Sequence, residues 1–222
     1  DIKPCINCLI GCIDRGMLSH TPIHCTVNPS LYRFECKPVE KAETRKQVAV
    51  VGAGPTGCEA ALTASKRGHQ VTIYEKRCIG GAMIEASKPE NKANIKRLIH
   101  YYEDHIMHDP NITLVKEEVE YETLVHRGYD AVIIAVGGKT RILNVPGIEK
   151  NSVIYASDYL NGSTAVTGNT VVVIGGGITG AETALELNAE GKKVTIVEMT
   201  DAFLANLVPL VRHILQRSMK QT

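Results

Sequence analysis

Two stretches of the chain repeat the same succession of apolar and polar positions. Each begins with a short apolar run, at Val48 and at Val171, and this run ends in the glycine spacing G-x-G-x-x-G. Apolar residues at helical spacing follow, and then a second apolar run that ends in Glu75 or in Glu198. Val48 matches Val171 and Glu75 matches Glu198, an offset of 123 residues. We therefore expect two complete β-α-β units.

The glycines of each unit have separate roles in binding a dinucleotide. The first allows a tight turn from strand to helix, the second removes a side chain where a pyrophosphate approaches, and the third lets helix and strand pack closely. In that order they are Gly52, Gly54 and Gly57 in the first unit and Gly175, Gly177 and Gly180 in the second. Glu75 and Glu198 lie where a carboxylate accepts hydrogen bonds from ribose hydroxyls. Two such units are typical of proteins that transfer electrons between two nucleotides.

A cysteine-rich segment precedes both units. Its spacing is C-x2-C-x3-C-x12-C, formed by Cys5, Cys8, Cys12 and Cys25, and we expect the first three sulfurs to lie close together. Four thiolates suit either zinc or an iron-sulfur cluster. Structural zinc sites favour two C-x2-C pairs and this segment has one, so a cluster is favoured and zinc stays open.

The remaining cysteines do not suggest a redox pair. Cys36, Cys58 and Cys78 contain no C-x-x-C spacing, and we expect small buried or surface thiols. A disulfide framework is typical of small secreted domains rather than of 222 residues with two nucleotide-binding units.

The motifs PCINCLIGC, HCTVNP, GAGPTG and GGGITG together resemble the 2,4-dienoyl-CoA reductase, enoate reductase and trimethylamine dehydrogenase family, along essentially the whole chain. In that family an FMN-containing TIM barrel precedes a [4Fe-4S] segment, an FAD-binding domain and an NAD(P)-binding domain. The barrel is absent from this chain. The trimethylamine dehydrogenase branch has lost the second glycine motif, which is intact here, so the reductase branch is the closer match.

The resemblance also implies which residues bind each cofactor. The implied cluster ligands are Cys5, Cys8, Cys12 and Cys25. The residues implied for FAD are Gly52, Ala53, Gly54, Pro55, Thr56, Gly57, Glu75, Gly81, Val119 and Ala135. Those implied for the nicotinamide nucleotide are Gly175, Gly177, Ile178, Thr179, Gly180 and Glu198. No catalytic side chain can be identified.

The predicted fold class is α/β, a Rossmann-like FAD/NAD(P)-binding fold preceded by the small cysteine-rich segment. We expect a cluster segment with linker at 1–45, an FAD-binding domain at 46–160 and a truncated NAD(P)-binding domain at 161–222. Between the motifs the pattern predicts a helix over 91–108 and strands at 112–115 and 118–121. It also predicts a parallel strand after Asp130 that is covered on both faces, and a helix over 201–220.

Composition narrows the partners and the location. A formal net charge of +1 gives no reason to expect a nucleic acid, and no apolar run approaches the roughly 20 residues of a membrane helix. We expect a soluble cytoplasmic protein, possible oligomers, and a fragment whose FMN barrel is missing. A naturally short subunit completed by a partner chain is the alternative.

The sequence thus predicts an electron-input module that passes electrons from NAD(P)H to FAD, to a [4Fe-4S] cluster and on to FMN, where enoyl-CoA or another activated alkene is reduced. Glu198 favours NADH because a carboxylate repels a 2′-phosphate, although Lys192 and Lys193 leave NADPH open. One alternative is a nucleotide-binding regulatory or structural module with a structural zinc site and no turnover. Another is a disulfide reductase, for which the cysteine spacing supplies no redox pair.

Overall fold

The computed structural model describes residues 2–31, 38–205 and 207–220, so the prediction for Cys36 lies outside the described residues. These residues form two compact units. The first contains 2–6, 38–87 and 92–140, and the second contains 7–31, 88–91 and the described part of 141–220. Each unit holds one parallel sheet, which confirms the predicted α/β fold class. The three predicted domain boundaries stay predictions.

The first unit is built around a four-stranded parallel sheet in the order β3-β2-β1-β4. Its strands are β1 (Gln47–Val51), β2 (Gln70–Tyr74), β3 (Ile112–Val115) and β4 (Ala131–Ile134). The middle of β1 is buried without a break, as its continuous apolar run requires for a strand covered on both faces. The carboxyl ends of these strands lie on one edge of the sheet, where nucleotides bind in folds of this class.

Helices cover this sheet, and their bounds are α1 (Pro55–Lys66), α2 (Met83–Ala86), α3 (Ala93–Met107) and α4 (Tyr121–His126). A short 3₁₀ turn, Glu90–Lys92, precedes α3. Proline occupies the first position of α1, where its missing N–H costs nothing. The predicted helix over 91–108 is confirmed by α3, which buries Ile95, Leu98, Ile99, Tyr102 and Ile106 on one face.

The second unit has a two-stranded parallel sheet, made of β5 (Thr170–Ile174) and β6 (Lys193–Val197). Its helices are α5 (Ala156–Leu160), α6 (Ile178–Ala189) and α7 (Pro209–Lys220), and a π-helical segment, Ile10–Leu18, includes Cys12. Leu187 of α6 packs with Tyr159 and Leu160 of α5, and this cluster contacts the inner face of β5 and β6.

The predicted strand at 118–121 is wrong, because Tyr121 begins α4 after an extended Glu120. The alternating Glu-Val-Glu-Tyr pattern suggested a strand, but α4 allows Leu124 to be buried against Ala49 and Tyr74. The burial of Leu124 in the tertiary structure therefore outweighs the local strand pattern.

Two further predictions need correction. Strand β4 is parallel to β1 as predicted, but it is not covered on both faces within the described residues, since Ile134 is 64% exposed. The helix expected over 201–220 begins only at Pro209, because proline suits the first helical position and disfavours helix in the residue before it. Within the described residues, no helix is both long and apolar enough to cross a membrane.

Candidate functional site

The glycine-rich turn of the first unit has no room for side chains. Gly52 has φ of +98°, and its N–H donates to the carbonyl of Tyr74 at 2.7 Å. A Cβ on Gly52 would lie 2.5 Å from the carbonyl oxygen of Ala135, and one on Gly57 would lie 1.8 Å from that of Gly52. Both contacts are shorter than any real Cβ contact, so glycine is required at both positions.

Glu75 closes this turn from the end of β2. One carboxylate oxygen accepts the N–H of Ala53 at 2.8 Å, and the other accepts the N–H of Arg77 at 2.7 Å. Ala53 is fully buried, whereas Pro55 and Thr56 are exposed in the first turn of α1. Glu75 is therefore held beside the turn by backbone donors, and its remaining lone pairs can accept ribose hydroxyls.

The Gly80-Gly81 loop lies against the same turn. The N–H of Gly80 donates to the carbonyl of Ala53 at 2.9 Å. A Cβ on Gly81, whose φ is +54°, would lie 2.8 Å from the Cα of Gly54. The structure thus brings Gly81 next to Gly54, as expected if both approach one ligand.

Arg77 was missed by sequence reasoning. Its guanidinium donates to Glu85 at 2.7 Å and to the carbonyl of Gly81 at 3.3 Å, while its own N–H is bound by Glu75. The hydrogen bond with Glu85 raises the pKa of Arg77 above its ordinary value. The position of Arg77 two residues after the acid was the available signal, since a guanidinium there can connect the acid to the following loop.

The other two residues predicted for FAD differ in position. Ala135 follows β4, and its N–H donates to the carbonyl of Val51 at 2.8 Å, which places it beside Gly52 and Gly57. Val119 instead packs, partly buried, against the cluster of Ala49, Tyr74 and Leu124. The structure therefore brings Ala135 to the turn and gives Val119 a packing role.

The second unit repeats the positive-φ glycine and the close contact of the third glycine. Gly175 has φ of +103°, and its N–H donates to the carbonyl of Val197 at 2.8 Å. A Cβ on Gly180 would lie 2.0 Å from the carbonyl oxygen of Gly175. Gly177 precedes α6 in an extended conformation, and Ile178 and Thr179 form the first turn of that helix.

Glu198 has the same role here that Glu75 has in the first unit. It accepts the N–H of Gly176 at 2.7 Å, and its other oxygen accepts both the N–H and the hydroxyl of Thr200 at 2.8 Å. The N–H of Gly176 is the main cause that lowers the pKa of Glu198, followed by the donors of Thr200. A negative charge is therefore held at the end of β6.

Phe203 is a second residue that sequence reasoning missed. A Cβ on Gly176 would lie 2.6 Å from the Phe203 ring, and the N–H of Leu204 donates to the carbonyl of Gly176 at 3.1 Å. The ring therefore lies against the middle of the turn. No sequence signal singled it out, because the pattern suggested a helix at that point.

None of the four cysteines of the N-terminal segment is in a disulfide in the described structure. Cys5 and Cys12 are exposed, whereas Cys8 and Cys25 are partly buried, and the thiol of Cys8 contacts the Thr26 hydroxyl at 3.3 Å. The described residues include no group of three or more His, Cys, Asp or Glu side chains that could hold a metal ion. The structure therefore does not show the expected metal site around the first three sulfurs in the described residues. The [4Fe-4S] cluster stays a proposal.

The segment nevertheless has a tight internal contact next to two of its cysteines. The N–H of His24 donates to the carbonyl of Gly11 at 2.8 Å, and a Cβ on Gly11 would lie 2.3 Å from the carbonyl oxygen of His24. Gly11 precedes Cys12 and His24 precedes Cys25. The backbone therefore brings the neighbours of these two cysteines together.

Cys58 and Cys78 confirm the predicted buried and surface thiols. Cys58 is fully buried, its thiol donates to the carbonyl of Ala53 at 3.3 Å, and burial raises its pKa to about 12. Cys78 is exposed. A thiol held neutral at physiological pH is a weak nucleophile, so Cys58 fits a packing role.

Residues 34–87 and 46–222 match the pyridine nucleotide-disulphide oxidoreductase family. The chain belongs to this family. Membership is consistent with the two turns described above and supports FAD and NAD(P)H as cofactors.

Individual relatives show which members of the family this chain is similar to. An NADH oxidase from Thermoanaerobacter brockii is 38% identical over 96% of this chain and 33% of its own length. A cinnamate reductase from Clostridium sporogenes is 35% identical over 91% of the chain and 30% of the relative. The solved complex of a 2-naphthoyl-CoA reductase superposes with a TM-score of 0.90 at 31% identity, over 98% of the chain and 33% of that protein. The predicted resemblance to the FAD- and NAD-binding part of the enoate reductase family is confirmed, and the chain spans about a third of these relatives.

Proposed function

We propose that this chain is the electron-input module of an iron-sulfur flavoprotein reductase. The first unit would bind FAD, the second NAD(P)H, and the cysteine segment a [4Fe-4S] cluster. The full protein would deliver electrons to an FMN-containing TIM barrel outside this chain, where an enoyl-CoA or another activated alkene is reduced. The relatives named as cinnamate reductase and 2-naphthoyl-CoA reductase support that substrate class.

The observation that supports this proposal best is the pair of matching turns. Each has a positive-φ glycine, a helix that begins after an extended glycine, and a carboxylate that accepts the N–H of the residue after the positive-φ glycine. The N-terminus of a helix favours the phosphates of a nucleotide. One chain that builds this arrangement twice is suited to bind a donor and an acceptor of electrons.

The residues of the first turn would orient FAD by shape and by hydrogen bonds. Gly52 and Gly54 leave the backbone open to a pyrophosphate, and Glu75 would accept ribose hydroxyls. Gly81, pressed against Gly54, would limit the opening from the other side. When bound, FAD accepts a hydride and releases electrons singly, and a [4Fe-4S] cluster accepts one electron at a time.

The nicotinamide nucleotide would bind the second turn through Gly175, Gly177, Gly180 and Glu198. Because Glu198 is held ionised, it opposes the 2′-phosphate that distinguishes NADPH. Lys192 and Lys193 at the start of β6 do not contact Glu198 in the described structure, and Lys192 donates to the carbonyl of Gly168 at 3.3 Å. We therefore propose NADH as the preferred donor.

The cysteine segment has a donor set that fits an iron-sulfur cluster, since Cys5, Cys8, Cys12 and Cys25 supply four thiols and none of them is in a disulfide in the described structure. Cysteines that are not in disulfides also suit the reducing cytoplasm that we propose as the location. Zinc bound by the same thiols, with no turnover, would instead make the segment purely structural.

The test is the visible spectrum of the full-length protein, purified anaerobically, before and after NADH is added, together with analysis for iron, sulfide, zinc and flavin. We expect about four iron and four sulfide per chain in this segment, and bleaching of the flavin by NADH. Cys8→Ser should lose the iron and keep the FAD, whereas Cys78→Ser, at a cysteine outside the set, should keep both. Zinc without iron, or a flavin that NADH does not bleach, would contradict the proposal.

A further inference from the structure

Lys3, two residues before Cys5, is largely covered by side chains that suit its positive charge. Its side chain is only 12% exposed, and its ammonium forms an ion pair with Glu59. The same ammonium lies 5.5 Å from the ring centroid of Tyr101 and 5.4 Å from that of Tyr102. Two aromatic faces within about 6 Å and one carboxylate form a receptor for a cation.

The receptor is assembled from two helices of the first unit. Glu59 belongs to α1, the helix that starts at the glycine-rich turn, and both tyrosines belong to α3. The hydroxyl of Tyr102 donates to Glu59 Oε1 at 2.8 Å, and the Tyr102 side chain is almost completely buried. Tyr101 stacks on His105 with ring centroids 3.9 Å apart. Contacts that do not involve Lys3 therefore already orient the pocket.

So low an exposure is unusual for a lysine in a stretch, residues 2–9, that has no regular secondary structure. Lysine is among the residues least often buried, and an ammonium removed from water needs a paired anion. Ordering its long side chain also costs conformational entropy. A lysine on the surface would need neither a paired anion nor an ordered side chain. The contact therefore indicates that the chain is fixed in place at residue 3.

We propose that Lys3 is an anchor that fixes the start of the cysteine segment, including Cys5, on helix α1. Lys3 is thus a positioning residue, which acts through the peptide chain on a thiol two residues away. The further consequence, that the anchor sets the position of a cluster ligand relative to the FAD-binding turn of the same helix, rests on the proposed function. The anchor itself does not.

Hydrogen exchange of backbone amides in the full-length protein tests the anchor. Lys3→Met keeps most of the aliphatic stem and removes the charge, and Glu59→Gln keeps an acceptor for Tyr102 and removes the anion. Each variant should speed the exchange of the backbone amides of residues 5–9 by about tenfold, because the local opening becomes easier. Lys96→Met, at an exposed lysine on the same helix as the two tyrosines, is the matched control and should leave this exchange unchanged.

The double variant decides whether the two residues act through one contact. Lys3→Met with Glu59→Gln should exchange about as fast as either single variant, since both remove the same interaction. Unchanged exchange in both single variants, or additive effects in the double variant, would overturn the anchor. If the variants loosen residues 5–9 in a protein that binds zinc or no metal, the anchor stands and the proposed function fails. If the wild type holds iron and reducible flavin but the exchange does not change, the function stands and the anchor fails.

Discussion

The two glycine-rich turns have nearly the same backbone, yet the strands that lead into them are covered to very different extents. Gly52 and Gly175 differ by five degrees in φ, at +98° and +103°. Strand β1 is buried through its middle, whereas in β5 every second residue is exposed, including Ile174 at 64%. The same glycine-rich turn therefore follows a buried strand in the first unit and a partly exposed strand in the second.

The difference separates what is set locally from what is set by the rest of the fold. Glycine spacing, the strand-to-helix turn and the carboxylate on a backbone N–H form in both units, so residues within about 25 positions are enough for them. Coverage depends on neighbours that are distant in sequence. The first sheet has four strands and the described part of the second has two, although parallel sheets are normally covered on both faces.

The largest expected effect comes from the third glycine of either turn. Gly57→Ala and Gly180→Ala place a Cβ about as close to a backbone oxygen in one unit as in the other, at 1.8 and 2.0 Å. Each should lower the free energy of unfolding of its unit by about 3 kcal/mol, because the helix must move away from the strand. Thermal unfolding with flavin analysis measures this. Gly138→Ala, at a glycine without a positive φ and with nothing within 4 Å of an added Cβ, is the control for a methyl group added without a clash.

Alanine at the first glycine of each turn should have a different effect on stability in the two units. Gly52→Ala combines a positive φ with a Cβ 2.5 Å from the carbonyl oxygen of Ala135, whereas Gly175→Ala has the positive φ and nothing within 4 Å. We expect Gly175→Ala to cost about 1 kcal/mol and Gly52→Ala about twice as much, since only the latter also displaces β4. Equal costs in denaturant unfolding would mean that the surroundings of the turn do not matter.

Glu75 and Glu198 should each affect the binding of a different nucleotide. Glu198→Gln should weaken NADH binding about tenfold without loss of FAD, and Glu75→Gln should do the reverse, because a charged acceptor for ribose hydroxyls is lost. Titration calorimetry and flavin content measure the two effects. A variant that loses both nucleotides would show that the acids support the fold more than the ligand.

The pH dependence of the second turn follows from the same carboxylate. Hydrogen bonds hold the pKa of Glu198 below its ordinary value. Its contribution to stability is therefore present above the unfolded pKa of about 4.3 and is lost as the pH falls through the lower folded value. The melting temperature of wild type should fall more steeply than that of Glu198→Gln below about pH 4. Parallel curves would contradict this role of Glu198.

The sequence predicted the parts that depend on local pattern. Both turns, helix α3, strand β3 and the positions of Glu75 and Glu198 follow from spacing. It did not predict α4, because the decisive contact of Leu124 with Ala49 joins residues far apart in sequence. The Lys3 pocket was missed for the same reason, since Lys3 and Glu59 are 56 residues apart. Arg77 was missed although its contacts are local, and Phe203 because the pattern suggested a helix at that point.

The smallest expected effect concerns Cys58, whose counterpart in the second unit is Ala181. Both positions are fully buried in the helix that follows the turn. Cys58→Ala makes the first unit like the second and removes one sulfur atom, so it should cost about 1 kcal/mol and leave FAD content and NADH oxidation unchanged. Denaturant unfolding and flavin content are the measurements.

The same variant tests whether the buried thiol has a chemical role. With a pKa of about 12, Cys58 should resist alkylation at pH 8 in the folded protein, while exposed Cys78 reacts. If Cys58→Ala kept its FAD but lost the ability to oxidise NADH, the thiol would take part in the reaction, and the first unit would be closer to a disulfide reductase than its spacing indicates. Unchanged turnover would show instead that α1 and α6 need only a small side chain at Cys58 and Ala181. The neighbouring third glycine of each turn, Gly57 or Gly180, likewise leaves no room for a larger side chain.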